Sequence, residues 1–397
     1  MDQNSYIQNP FSGWGEFDPR RVYGHTRLLQ SIIEIVTERE PRAVNLVGPR
    51  WIGKTTVLRF LTDREGCFAQ PKYKSAIGRN FTLPRLLPVY LDMATNFCPE
   101  NPFATLADEL YVEIGKRKDV DLHSVAREIS LGEETAALGK VGVEKRMLYL
   151  AQEVAKQGVR LIVCLDHVDQ TNLLADSTGI RQIDRLTKDA SVVITTRKIL
   201  ADLYSGLAGS PLVHKLVLEK IGLLNEDAAL DLLSPPLPSF VPQFCLEDKE
   251  LLTHYIGRHP YLLVRAARQA YELLLSSPRG AHLTRNYIEV EIAPALEFIF
   301  EHLWRESSDQ LRAFCQLHGE ARGEGCADLE QAPRGIVQDL QRESLVYENP
   351  DAEGEYLFFS TLFESFVTRK LRRGRDKEES KSQIVESTEI LEALGLS

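Results

Sequence analysis

Four short apolar runs punctuate the first half of the chain, and the stretches between them carry apolar residues at helical spacing. The runs are Ala43-Val44-Asn45-Leu46-Val47, Leu87-Pro88-Val89-Tyr90-Leu91, Arg160-Leu161-Ile162-Val163-Cys164-Leu165 and Ser191-Val192-Val193-Ile194-Thr195. Helical patterns cover Thr26 to Glu38, Pro102 to Lys116, Gly142 to Lys156 and Gly179 to Lys188. Strands alternating with helices predict an α/β unit with a parallel sheet covered on both faces, since parallel strands need crossovers and the helices supply them. That unit ends near Glu219. The pattern then becomes all-helical. Asn225 can cap a helix whose first turn holds Glu226 and Asp227, and Ser234-Pro235-Pro236-Leu237-Pro238 breaks it. Glu247 to Ile256 and Pro260 to Leu275 add two helices around Gly257, together a helical lid. From Pro294 to about Lys370 come two helices, a Gly-rich interruption from Gly319 to Gly325, and a helix from Pro333 to Glu343. Two short runs follow, Ser344 to Tyr347 and Glu355 to Phe359, and helices followed by such a hairpin predict a winged helix-turn-helix. The expected division is an N-terminal arm and first helix (1–40), the α/β unit (41–220), the lid (221–290), the winged helix (291–371) and a charged tail (372–397).

Length agrees with that division, because 397 residues exceed what one ordinary core organises. With 43% hydrophobic and 26% charged residues the composition excludes wholesale disorder, a fibre or a coiled-coil rod. No apolar run approaches the roughly 20 residues of a membrane span, and the polar start lacks the features of a secretory signal, so a cytoplasmic protein without membrane contact is expected. Cys67, Cys98, Cys164, Cys245, Cys315 and Cys326 are scattered, with no CxxC pair and no histidine at zinc-ligand spacing. The sequence therefore predicts neither a disulfide framework nor a zinc site. A formal charge of −10 makes nucleic acid the less favoured partner. The one clearly basic stretch, Arg369-Lys370-Leu371-Arg372-Arg373-Gly374-Arg375, suits the end of a solvated helix as well as it suits DNA. No repeat of 20 to 50 residues recurs, so no solenoid sensor is expected in this chain.

The chemistry concentrates in Gly48-Pro49-Arg50-Trp51-Ile52-Gly53-Lys54-Thr55-Thr56, which matches G-x-x-x-x-G-K-[ST] between a predicted strand and a predicted helix. Such a loop turns backbone N–H groups onto phosphate oxygens, and Gly48, Pro49, Arg50, Ile52, Gly53, Lys54, Thr55 and Thr56 are its candidate ATP- or ADP-binding residues. Lys54 bridges the outer phosphates and Thr55 ligates Mg²⁺. A second metal-side carboxylate is required at the end of a neighbouring strand, and Asp166 supplies it after Leu161-Ile162-Val163-Cys164-Leu165. His167 follows, where many hydrolytic enzymes carry an acid that polarises water, and Asp169 lies two residues beyond. His167 as a neutral base, Asp169 as a stand-in and an inactive site are all open. Slow or partner-dependent ATP hydrolysis is the expectation. The fourth run ends Thr195-Thr196-Arg197, at the sheet edge where α/β ligands bind, and Arg197 is placed to read a γ-phosphate. Trp14 and Trp51 are more simply packing residues than adenine stacks.

With these motifs in order, the chain resembles the STAND-type P-loop NTPases, the class that includes the NB-ARC switch proteins within the wider AAA-like group. The resemblance spans roughly Asn9 to Lys370 and implies an ASCE/AAA-like sheet. Asn9-Pro10-Phe11 and Val22-Tyr23-Gly24-His25 resemble the lead-in that packs on adenine, which assigns Val22 and Tyr23 to the base. Thr195-Thr196-Arg197 resembles the sensor after the fourth strand. Gly257-Arg258-His259-Pro260-Tyr261-Leu262-Leu263 resembles the lid segment whose proline, here Pro260, meets the base. Phe358 to Phe363 resembles the end of the winged helix. His25 replaces the usual arginine, His167 the usual acid, and the Met-His-Asp signature is not found near Phe358 to Ser360. The resemblance implies a switch whose nucleotide state moves the lid and winged helix and governs oligomerisation. With no effector domain ahead of Phe11 and no repeat sensor after Leu371, partner proteins are expected to supply those functions in a bacterial defence or signalling system. The alternative is a DNA-directed AAA+ regulator of transposition or replication-initiator type.

Overall fold

A computed structural model describes residues 9–12, 17–77, 85–94, 106, 108–110, 112–113, 116, 139–171, 177–236, 243–276, 282–323, 334–350, 352 and 355–373. The helix expected from Pro102 to Lys116 falls only partly within these residues. Trp14, Cys98, Cys326 and the tail beyond 373 lie outside them. The chain forms two units, Gly15–Gly222 and a second made of Met1–Trp14 with Leu223–Ser397.

The first unit is built on five parallel strands: β1 (Ala43–Val47), β2 (Leu86–Asp92), β3 (Arg160–Asp166), β4 (Ala190–Thr196) and β5 (Leu216–Lys220). Their order is β2-β3-β4-β1-β5. The three central strands are buried along their whole length, as their unbroken apolar runs require. β2 and β5 are edges. β2 alternates, and its Pro88 is tolerated because an edge strand has one side without a ladder. The sequence pattern missed β5, whose Leu218 is 41% exposed and whose end is charged, so it lacks the apolar density that marked the others.

Helices α1 (Thr26–Val36), α2 (Lys54–Thr62), α3 (Gly139–Lys156) and α4 (Ser177–Leu186) cover the sheet. Leu150, Val154, Ile180 and Ile183 join Leu161, Val163, Leu165, Val192 and Ile194 in one apolar layer. The alternate strand residues Ile162, Cys164 and Val193 point to the opposite face, beside buried Leu29, Ile33, Leu58 and Leu61. Buried polar groups inside the sheet are paired. Ser191 Oγ donates to Val36 O at 2.9 Å, and Arg160 donates to Ser191 Oγ and Arg39 O, which fastens the end of α1 to the start of β3 and β4.

The second unit is helical. Asn225 Oδ1 accepts from Ala228 N at 2.9 Å and starts α5 (Glu226–Leu232); α6 (Leu246–Ile256) and α7 (Pro260–Ser276) follow. A π turn at Ile288–Ile292 leads into α8 (Ala293–Gly323), which breaks at Ser307 (φ −134°, ψ 21°) into the two expected helices. Then come α9 (Arg334–Arg342), the antiparallel pair β6 (Val346–Glu348) and β7 (Tyr356–Phe358), and α10 (361–373). Two boundaries differ from the sequence expectation. The 9–12 segment belongs here rather than with the sheet unit: Asn9 Nδ2 donates to Arg268 O and Glu272 Oε1, and Phe11 packs on Phe244 and Tyr271. Lid and C-terminal region are also one unit. Ser360 Oγ donates to Tyr255 O, Thr361 Oγ1 to His254 O, and the ring of His259 meets Phe359.

Candidate functional site

The loop leaving β1 is shaped by its glycines. A Cβ on Gly48 would lie 2.5 Å from Ile221 O, so this residue must be glycine to let the loop pass the end of β5. Gly53 has φ +108°, a conformation side chains oppose, and it turns the chain into α2. Trp51 also sits at positive φ (+60°), so the loop holds backbone strain just ahead of Ile52, which is buried. Lys54 is the first residue of α2 and only 7% exposed; its Nζ donates to Gly48 O at 2.6 Å and Pro49 O at 2.7 Å. The ammonium is thereby arched over the loop. Thr55 is half-buried and Thr56 exposed on the same first turn.

Asp166 is fully buried at the carboxyl end of β3. β3 is not adjacent to β1, contrary to the expectation of a neighbouring strand: β4 lies between them. The inserted strand contributes directly. Thr195 donates its hydroxyl to Asp166 Oδ1 and accepts the His167 N–H at 2.9 Å, while Thr196 Oγ1 accepts from Asn45 Nδ2 of β1 at 2.8 Å. Asp166 Oδ1 also accepts from His167 N, and Oδ2 accepts from the Tyr90 hydroxyl at 3.0 Å. Burial first, then the Asp166 and Asp92 charges, push the Tyr90 phenol well above its usual range, so it remains a donor.

His167 takes a left-handed conformation (φ 55°), which turns its ring back toward β2. Its Nδ1 lies 3.0 Å from Asp92 Oδ1 and 3.6 Å from Asp166 Oδ2. An ionised carboxylate only accepts, so Nδ1 carries the proton, and in the neutral ring Nε2 is left with a lone pair. Asp92 was not expected here. It stands opposite Asp166 in the register of β2 with β3. Asp169 does not join this cluster: its Oδ2 accepts from Arg197 Nε at 2.7 Å and from Arg197 N at 3.2 Å. The expected reader of the γ-phosphate is thus paired with the expected stand-in acid. Val22 and Tyr23 are half-buried just ahead of α1, and burial alone pulls neighbouring His25 down to about 4. Pro260 opens α7 in the helical unit.

The residues suit a nucleotide with magnesium. Thr55 and Asp166 offer hard oxygen donors, and two side-chain hydroxyls and a backbone N–H orient the Asp166 carboxylate. Among the described residues no lysine or arginine forms an ion pair with Asp166.

Neither a family model nor a curated protein sequence matches the chain. Solved structures do. The Walker-type ATPase PABY2304 of Pyrococcus abyssi is 15% identical, with a TM-score of 0.51 over 89% of this chain and 98% of that one. The fold is that of a Walker-type P-loop ATPase. Aeropyrum pernix ORC2 matches at 12% identity and TM-score 0.47 over 87% of this chain and 94% of its own. The STAND protein PH0952 of Pyrococcus horikoshii, with a tetratricopeptide repeat sensor, matches at 16% and 0.33 over 87% of this chain and 42% of its own. Among the described residues of this P-loop ATPase fold, no helix is long and apolar enough to cross a membrane.

Proposed function

We propose that this chain is an ATP-binding switch of the STAND type whose ATP hydrolysis is slow or depends on a partner. One observation carries the reading. The site has a complete phosphate loop and an oriented Asp166, yet the following position holds a histidine tied to Asp92 instead of a carboxylate facing water. Gly48, Pro49, Arg50, Ile52, Gly53, Lys54, Thr55 and Thr56 would hold the phosphates, Thr55 and Asp166 the Mg²⁺, and Val22 and Tyr23 the base. Bound magnesium neutralises charge on the phosphates. Lys54 would exchange the carbonyls of Gly48 and Pro49 for phosphate oxygens, and Nε2 of His167 would take the proton of the water attacking the outer phosphate, although an imidazole tied to Asp92 lacks the negative charge with which a carboxylate orients that water. To read the outer phosphate Arg197 would have to leave Asp169.

The helical unit is suited to report the nucleotide state as one body, since the segment from Gly257 to Pro260 packs on Phe359 at the end of the hairpin. The sequence α9, β6, β7, α10 reads as a winged helix. A protein partner with effector or sensor function, and nucleotide-dependent homo- or hetero-oligomers, complete the proposal. DNA is the less favoured partner on the formal charge of −10, and within the basic stretch Arg369 and Lys370 lie beside the acids Glu297 and Glu301.

The test is to purify the protein without added nucleotide, denature it and count what each chain releases. Stoichiometric ADP or ATP, lost in Lys54→Ala, is expected. An empty protein that exchanges ATP rapidly and binds duplex DNA with steep salt dependence would replace the switch by a DNA-loaded regulator.

A further inference from the structure

The start of α6 holds a second cluster that the nucleotide site does not use. Cys245 is the N-cap: its Sγ accepts from Asp248 N at 3.4 Å, and Asp248 Oδ2 accepts from Cys245 N at 3.3 Å. The Asp248 carboxylate is buried (3% exposed), and its Oδ1 takes the N–H of Leu283 at 2.8 Å. His282, just ahead of Leu283, brings Nδ1 to 3.4 Å from Cys245 Sγ and 3.8 Å from Asp248 Oδ1. All three donor atoms lie within 4.8 Å of one another.

Capping alone does not account for this. Serine, aspartate or asparagine caps a helix better than a thiol, and the cap does not need the imidazole of His282. A nucleophilic Cys-His-Asp relay is excluded by the ring geometry. A relay places thiol and carboxylate on opposite nitrogens, whereas here both face Nδ1. Convergence of a sulfur, a nitrogen and a carboxylate oxygen on one point is the arrangement of metal ligands. Bonds of about 2.3 Å to sulfur and about 2.0–2.2 Å to nitrogen and oxygen, at tetrahedral angles, set the ligand atoms roughly 3.3–3.6 Å apart. The sulfur–nitrogen and nitrogen–oxygen separations of 3.4 and 3.8 Å are near these values, and the sulfur–oxygen pair, within 4.8 Å, has to close by up to about 1.2 Å. Among the described residues the buried Asp248 pairs with no cation other than His282.

We propose that Cys245, Asp248 and His282 form a zinc site that fastens residues 282–283 to the start of α6. The mixed sulfur, nitrogen and oxygen set selects a borderline cation such as Zn²⁺ over Mg²⁺, which prefers oxygens alone. Water fills the fourth position. Binding takes the proton from the Cys245 thiol and leaves the thiolate on the metal.

The experiment is titration of the full-length, chelator-treated protein with Co²⁺, followed by Zn²⁺ competition, with excess Mg²⁺ present to occupy oxygen sites. One Co²⁺ per chain with a sulfur-to-cobalt charge-transfer band, displaced by Zn²⁺, is expected. Cys245→Ser removes the band while keeping a competent helix cap, and His282→Ala, at an exposed position, weakens binding at least about tenfold. Absence of the band in the wild type overturns the proposal, as does a band that survives Cys245→Ser. Circular dichroism of both variants separates loss of the ligand from loss of the fold.

Discussion

Thr195→Val tests whether β4 organises the nucleotide site. Thr195 is fully buried, and valine keeps its shape while removing the hydroxyl that donates to Asp166 Oδ1. That oxygen keeps only the His167 N–H at 3.0 Å, and the His167 N–H in turn loses its 2.9 Å bond to Thr195. A hydrogen bond to a buried charge contributes about 1.5–3 kcal/mol, so about 2 kcal/mol of stability is lost. For a unit the size of Gly15–Gly222, each kcal/mol moves the melting temperature about 2–4 °C, which gives a drop of about 4–8 °C by calorimetry. The same change frees a metal-side carboxylate to turn. Loss of such an outer-shell contact weakens metal affinity about 10–100-fold, read as the Mg²⁺ concentration that half-saturates nucleotide binding. Thr195→Ser is the control, since it loses a methyl group but keeps the donor, and its Mg²⁺ dependence should match the wild type. A valine variant with unchanged melting temperature and unchanged Mg²⁺ dependence would refute the reasoning, and so would a serine variant as impaired as valine.

Gly257→Ala should destabilise the helical unit by more than about 2 kcal/mol in chemical denaturation, because φ is +81° and the new Cβ would fall 1.9 Å from Phe359 O. His25 is held near 4 by burial against 6.5 when free, so the unfolded chain takes up its proton first. Stability is therefore full above about pH 6.5 and falls by up to about 3 kcal/mol as pH drops towards 4; His25→Asn, which tolerates the same left-handed backbone, should flatten that slope in pH-dependent melting. Arg197→Gln removes the charge beside Asp169, whose side chain is 4% exposed, and should cost about 2–3 kcal/mol after allowance for the one-third exposure of the arginine. In a double-mutant cycle with Asp169→Asn the coupling should reach about 1 kcal/mol, and additive effects would mean the pair is incidental.

What the sequence made legible was local. The phosphate loop is read from nine consecutive residues, and Asp166 from the apolar run before it. The buried central strands declared themselves by composition, and Asn225 by its position ahead of two acids. What stayed hidden depends on strand order and register. Asp92 and Tyr90 acquire their roles only because β2 pairs with β3 so that Asp92 stands opposite Asp166. Thr195 acts on Asp166 only because β4 is inserted beside β3. A polar residue closing β2, as Asp166 closes β3, was the available clue to Asp92. β5 escaped because an edge strand needs no continuous apolar run, and Asn9 and Phe11 because their partners at Arg268, Tyr271 and Glu272 are over 250 positions away. Cys245 and His282 are 37 residues apart, a spacing no local motif covers.

Asp166 and Asp248 show the same physical solution in two units. Each is a buried carboxylate held by nearby N–H or O–H donors, with no lysine or arginine pair among the described residues. Hydrogen bonds fix the orientation of such a charge without neutralising it, which is what a metal ligand requires. The two differ in their company. Asp166 accepts from two hydroxyls and closes β3 at the carboxyl edge of the sheet, so the cation proposed for it is hard and would arrive with a nucleotide. Asp248 faces a thiol and an imidazole, so its cation is softer and independent of the nucleotide. The two sites should therefore respond to different ions. Mg²⁺ should change the thermal stability of the sheet unit in the presence of nucleotide only, whereas Zn²⁺ should stabilise the helical unit with or without it.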